Sequence, residues 1–221
     1  MDRPSSDAHW LALKDRLLRE LCHDLNGRAS ALRGLAELHL SRRTTAPERS
    51  GPDTRMLLQE EADRLEELAR NLDLLTARTD HPPELLDLQP ILERAIQAVS
   101  LLEGVGGERV DLLPPAGDPP PVRGVPAVLG RIILVAIEAF LSFHGDGRAR
   151  TTVQLGSGGR GAELRIRLGY GEGRGRPGEP SGEGVGREGT PRPPELPLTP
   201  DARILTEWKA GGELRLFFPP P

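Results

Sequence analysis

The sequence predicts an α+β protein: a long antiparallel helical hairpin, which pairs into a four-helix bundle as a dimer, followed by an α/β sandwich. Three observations predict it. Apolar residues recur at steps of three and four from Trp10 to Leu38, and again from Leu58 to Leu75. A stretch rich in helix breakers separates the two runs. After His81-Pro82-Pro83 the period changes, and helix-like stretches alternate with strand-like ones.

The first helix starts at Ser6 or Asp7, either of which can cap it, and runs to about Ser41. Leu17, Leu21, Leu25, Leu32, Leu35 and Leu38 make its apolar face, with Leu13 and Trp10 extending it. At ~100° per residue, His23 falls about 160° from the centre of that face and points at water. Gly27, Ser30 and Gly34 share its side. A glycine inside a helix costs about 1 kcal/mol relative to alanine. Two of them here keep the outer face low, so that another protein can approach His23. The segment RRTTAPERSGP (42–52) is a turn. The second helix runs from about Asp53 to Arg78, with Leu58, Ala62, Leu65, Leu68, Ala69, Leu72 and Leu75 in a heptad pattern. One hairpin covers two such stripes poorly, so a homodimer is expected. The competing arrangement packs the hairpin on the rest of its own chain.

The domains divide as 1–82 for the hairpin and 83–221 for the sandwich. Leu88 to Glu103 reads as an amphipathic helix, Arg109 to Leu113 as a short strand, and Pro114 to Pro121 as a loop. Val125 to His144 is the most apolar helix and the expected centre of the second domain. Thr151 to Leu155 and Glu163 to Leu168 read as strands joined by GSGGRG into an antiparallel hairpin. Gly169 to Pro197 is low-complexity Gly, Arg, Glu and Pro, and 172–195 within it reads as mobile because it has too little apolar surface to bury. Asp201 to Lys209 reads as a last helix and Glu213 to Phe218 as a last strand. The result is one sheet with helices on one face.

Composition excludes several classes. The net charge of −4 over 221 residues argues against a nucleic-acid partner. Lys14 and Lys209 are the only lysines, a bias of composition rather than of chemistry. Cys22 is the single cysteine, so neither an internal disulfide nor a cysteine zinc cluster can form. No apolar run reads as a membrane span, and MDRPSSDAHW lacks an apolar signal core, so a cytoplasmic protein with no membrane partner is expected. Aromatic residues make up only 3%, which leaves the core to Leu, Val, Ile and Ala.

This order of parts, with His23-Asp24-Leu25-Asn26 on the first helix, resembles the core of a bacterial histidine kinase. His23-Asp24 is similar to the start of that family's phosphoacceptor motif, and Asn26 fits a polar position that several subfamilies carry. Arg64 to Arg78, RLEELARNLDLLTAR, looks like the second bundle helix. Gly27 replaces the usual Thr or Asn, and Arg28 the common Pro. The family's dephosphorylation activity is tied to the place of Gly27, which here carries no side chain. In the second part, RIILVAIEAFLSF falls where the family has its Asn-rich helix, and the magnesium-holding asparagine corresponds to Glu138. LRIRLGYGEG falls at the Asp-x-Gly-x-Gly box, where Gly171 and Gly173 survive. The adenine-reading aspartate corresponds to Gly169, which has no side chain to accept a hydrogen bond from the adenine amino group. Residues 172–195 take the place of the nucleotide lid without a phosphate cradle. ARILTEWKAGGELRLFF matches the closing elements.

The resemblance therefore implies a degenerate ATPase-like domain that has lost its ATP and magnesium sites and uses no cofactor or metal. It implies a histidine phosphotransferase of the phosphorelay kind, with response-regulator receiver domains as partners. His23 is the expected nucleophile, since neutral imidazole is competent near its unperturbed pKa of about 6.5. Asp24 is expected to fix the ring tautomer by a hydrogen bond, and Asn26 to steady phosphoryl oxygens. Gly27, Arg28, Ser30, Arg33 and Gly34 are the expected docking face, with the two arginines meeting the acidic edge of a receiver. Against this stand three other readings: His23 as an ordinary surface histidine, an ATP-using histidine kinase with drifted motifs, and a non-catalytic dimeric scaffold. His9, His39, His81 and His144 read as solvated, Glu138 as a polar residue at the domain surface, and Cys22 as a packing residue.

Overall fold

A computed structural model describes residues 6–44, 54–76, 81–102, 110–143, 150–169, 204–209 and 212–221. Helix α1 spans Ser6–Thr44 and α2 spans Thr54–Thr76. Arg28 of α1 meets Glu61 of α2, while Asp24 shares a cleft with Asn71, so the two helices run antiparallel. Most of the turn expected at 42–52, and the low-complexity stretch with 172–195, lie outside the described residues.

The apolar face expected on α1 divides into two. Leu13, Leu17 and Leu21 turn inward together with Leu68 and Leu75 of α2. They join one continuous core with Leu92 and Ile96 of α3 (Leu88–Leu102) and Ile133 and Ile137 of α4 (Pro126–Phe143). A second stripe remains uncovered. Leu25 is 49% exposed and Leu72 is 42% exposed, with Leu11, Leu38, Met56 and Leu58 also outward. On α1 the residues Leu11, Leu18, Leu25 and Leu32 recur every seven positions, roughly 100° round the helix from the buried stripe. One stripe therefore packs on its own chain, while on the other Leu18 only partly meets the core and Leu11 and Leu25 stay exposed among the described residues. Cys22 lies on the uncovered side and is exposed rather than packed.

Local chemistry sets the starts of the short helices. The Asp87 carboxylate accepts the backbone amide of Gln89 at 2.9 Å and caps α3. Pro126 opens α4 where no amide is needed, and the Val125 carbonyl accepts the amides of Val128 and Leu129 at 3.0 Å. By length and composition α4 could cross a membrane, contrary to the sequence reading, but 61% of its residues are buried inside the fold.

Among the described residues the strands are, in chain order, β1 (Glu84–Leu86), β2 (Val110–Ala116), β3 (Val122–Gly124), β4 (Arg150–Gly158), β5 (Gly161–Gly169), β6 (Leu205–Lys209) and β7 (Glu213–Phe218). β1 and β3 make a small antiparallel pair, and the other five form a sheet in the order β2-β4-β5-β7-β6. The β4–β5 hairpin sits where GSGGRG placed it, with Gly158 opposite Gly161. β2 runs parallel to β4 and continues through Pro114 and Pro115, which the sequence reading made a loop. An edge strand tolerates proline, because one side of its backbone needs no ladder donor.

The expected helix over Asp201 to Lys209 is not formed: the described part is β6, paired antiparallel with β7. Thr206 and Trp208 pair with the buried Leu216 and Leu214 and share their side of the sheet, a period of two rather than 3.6, although only Trp208 is partly covered and Leu205, Thr206, Glu207 and Lys209 are exposed. Trp208 stacks on Phe140 at 5.9 Å between ring centroids and tilts against Phe143 at 5.5 Å, which seats this strand on α4. Val153, Leu155, Leu164, Ile166, Leu214, Leu216 and Phe218 make the buried face of the sheet.

Candidate functional site

His23 is exposed on α1 and makes no hydrogen bond to any described residue. Both apolar stripes lie roughly 120° or more round the helix from it, at about 100° per residue, so neither packing face can cover it. It lies in a shallow groove of about 690 Å³ lined by Asp15, Leu18, Arg19, Cys22, His23 and Asn26. Asn26 is thus beside the imidazole. Its backbone carbonyl accepts the Ser30 hydroxyl at 2.9 Å, which ties Ser30 to the helix. A side chain built at Gly27 or Gly34 would meet only open space, so both glycines leave this face low.

Two expected members of the site are used elsewhere. Asp24 does not bond to His23: its carboxylate lies 3.7 Å from the Arg28 guanidinium. Adjacent helix residues point about 100° apart, so Asp24 follows the inward stripe and not the imidazole. Arg28 is held inside the hairpin, with the Glu61 carboxylate at 3.4 Å, and is not presented to a partner. Arg33 is exposed further along α1.

Asp24 and Arg28 instead line a separate cleft of about 460 Å³ between the hairpin and α3, with Arg64, Glu67, Asn71, Gln97 and Ser100. Asp24 pairs with Arg28 within it. Arg64 binds Glu60 and also Glu61 at 2.9 Å.

Glu138, which the resemblance sets at a magnesium-holding position, faces α1. Its carboxylate lies 3.3 Å from His9 Nε2 and 3.8 Å from Arg16, while Ser142 donates to it at 2.9 Å. The His9 approach lacks hydrogen-bond alignment, so it is an electrostatic contact only. Arg131, seven residues before Glu138, stacks over Trp10 at 5.0 Å. His9 and Glu138 therefore both belong to the contact between α1 and α4; the His9 side chain stays 40% exposed, as expected, while that of Glu138 is largely covered rather than at the surface. The groups for this were legible only in pairs far apart in sequence. Gly169 ends β5 opposite Arg150, while Gly171 and Gly173 lie outside the described residues. Among the described residues no group of three or more His, Cys, Asp or Glu could hold a metal ion.

The sequence reading missed Arg19, which lies one turn before His23 in the same groove. The signal available was the i−4 spacing alone.

The fold has counterparts among solved structures. It is similar to the ATP-binding domain of PrrB from Mycobacterium tuberculosis, at 21% identity and a TM-score of 0.37, over 64% of this chain and 98% of that one. It is also similar to the Acinetobacter baumannii histidine kinase AdeS, at 11% identity and a TM-score of 0.35, over 89% and 97% of the two chains. A third match is the histidine kinase ThkA, solved in complex with the response regulator protein TrrA, at 12% identity and a TM-score of 0.39, over 96% of this chain and 63% of that one. No family model and no curated protein matches the sequence.

Proposed function

We propose that this protein is a histidine phosphotransfer protein of a two-component phosphorelay, moving phosphoryl groups between receiver-domain aspartates through His23. The observation that carries the reading is the imidazole on α1, exposed opposite both apolar stripes and beside Asn26. The motif around His23 supports it. A ring nitrogen attacks the phosphorus of an aspartyl phosphate and forms an N–P bond. The acyl P–O bond breaks, its electron pair stays on the receiver carboxylate, and the ring N–H proton passes to water. The receiver brings the magnesium that this step uses, so the chain needs no metal ligands of its own. The uncovered stripe through Leu25 and Leu72 supports a second copy of the chain as its cover, giving a four-helix bundle with two outward imidazoles.

Incubation with a ³²P-labelled receiver domain tests the reading. Label that is stable in base and labile in acid is expected on the chain, and His23→Ala is expected to abolish it with the fold unchanged. A chain that binds the receiver and never becomes labelled overturns the reading in favour of a scaffold. Calorimetry at millimolar ATP separates it from an ATP-using kinase: no binding heat is expected, since Gly169 and Glu138 replace the residues that would read adenine and hold magnesium.

A further inference from the structure

We propose that Arg19 is the cation that binds the phosphoryl oxygens carried on His23, an inference that rests on the phosphotransfer reading above. Arg19 and His23 are four apart on one helix face, which sets their Cβ atoms about 5–6 Å apart. Both line the same groove, together with Asn26. The Arg19 Nε–H donates to the backbone carbonyl of Asp15 at 3.3 Å, which ties the guanidinium to its own helix. Its two terminal nitrogens make no hydrogen bond or ion pair with any described residue. An oriented fork with free N–H groups matches the spacing of two phosphoryl oxygens.

The other arginines of α1 near the imidazole are engaged. Arg28 is bound by Glu61 and Asp24, and Arg16 by Glu138. Arg33 lies ten residues on, about 15 Å along the helix axis. Among carboxylates, Asp15 lines the groove but forms no ion pair with Arg19, and Glu20, three residues before His23, is exposed outside it. Among the described residues the phosphoryl dianion thus finds the Arg19 guanidinium free within reach, and that guanidinium favours the dianion over the monoanion.

The test uses the full chain and phosphoramidate, a donor that needs no partner protein. The His23 ring nitrogen attacks phosphorus, the P–N bond breaks, ammonia leaves with the electron pair and takes up a proton, and the ring proton goes to water. A ³¹P resonance of phosphohistidine, absent in His23→Ala, is then titrated. In Arg19→Ala the second ionisation of the phosphoryl group is expected to rise by about half a pH unit or more, because the dianion has lost its cation. Arg19→Lys should recover part of the shift, and Arg70→Ala on α2 should leave the titration as in the wild type. Identical curves for wild type and Arg19→Ala overturn the proposal, as does a wild-type His23 that phosphoramidate does not label. An Arg19-dependent titration without any transfer from a phosphorylated receiver would leave Arg19 standing and remove the relay reading. Transfer from a receiver with a titration indifferent to Arg19 would do the reverse.

Discussion

Arg28 of α1 reaches the Glu61 carboxylate of α2 at 3.4 Å, and Arg64 holds the same carboxylate at 2.9 Å. Glu61 is 8% exposed, so this clamp replaces water at the place where the two helices meet. Glu61→Ala is expected to leave Arg28 with only the more distant Asp24, at a cost of about 1–3 kcal/mol. A lowered urea midpoint with an unchanged slope would record it, while labelling of His23 persists.

Leu25 and Leu17 separate assembly from folding. Leu25→Arg puts a charge on the exposed stripe, so the protomer is expected to keep its helical content while sedimentation shows loss of the proposed dimer. Leu17 is 0% exposed, and Leu17→Arg is expected to unfold the chain, because it places a charge in an apolar core. Equal unfolding by both would show that the outward stripe is not an interface.

Gly161 turns the β4–β5 hairpin with φ of +118°, and a Cβ there would stand 2.2 Å from the Phe218 carbonyl oxygen. Both backbone strain and collision oppose a side chain. Gly161→Ala is expected to cost about 1–3 kcal/mol or more, read as a lower melting temperature, while Gly27→Ala, with open space around it, is expected to be neutral or slightly stabilising.

The open face of the sheet sets an acid limb of stability. Hydrogen bonding from Arg165, at 2.9 Å, holds the Glu163 carboxyl below its ordinary 4.5 against the opposing effect of burial. Burial pushes Glu213 up, but hydrogen bonds from Arg215 and Arg167 outweigh it and the net direction is again downward. Both carboxyls are more acidic folded than unfolded. Their contribution is therefore present above the ordinary 4.5 and is lost as pH falls through the lower folded values. Glu163→Gln with Glu213→Gln is expected to flatten stability against pH in that window, measured by denaturant unfolding at pH 3 to 6.

The long helices were legible because their apolar residues repeat at helical spacing over many turns, and His23 could be set outward on the same arithmetic. What periodicity could not show was that α1 carries two stripes. Leu17 and Leu25 look alike in a list of leucines, and only the position of α3 and α4 decides which is covered. The error over residues 201–209 has a local cause. ILTEWK supports either period, and the signal that decides between them is the Gly-Gly before Glu213, where Gly212 takes φ of +77°. Asp24 was assigned to His23 as its sequence neighbour, although successive side chains on a helix diverge. Arg28 and Glu138 found partners 33 and more than 100 residues away, which no local pattern announces.

Leu17 and Leu21 share a core with Ile96 and Ile133, so the stalk and the sheet layer have no seam between them. Heat should therefore melt the described parts in a single calorimetric transition, and not first one and then the other. A fragment ended at residue 82 would bare the leucines that α3 and α4 now cover. The platform that displays the imidazole is in this sense supplied by the half of the molecule that does not carry it.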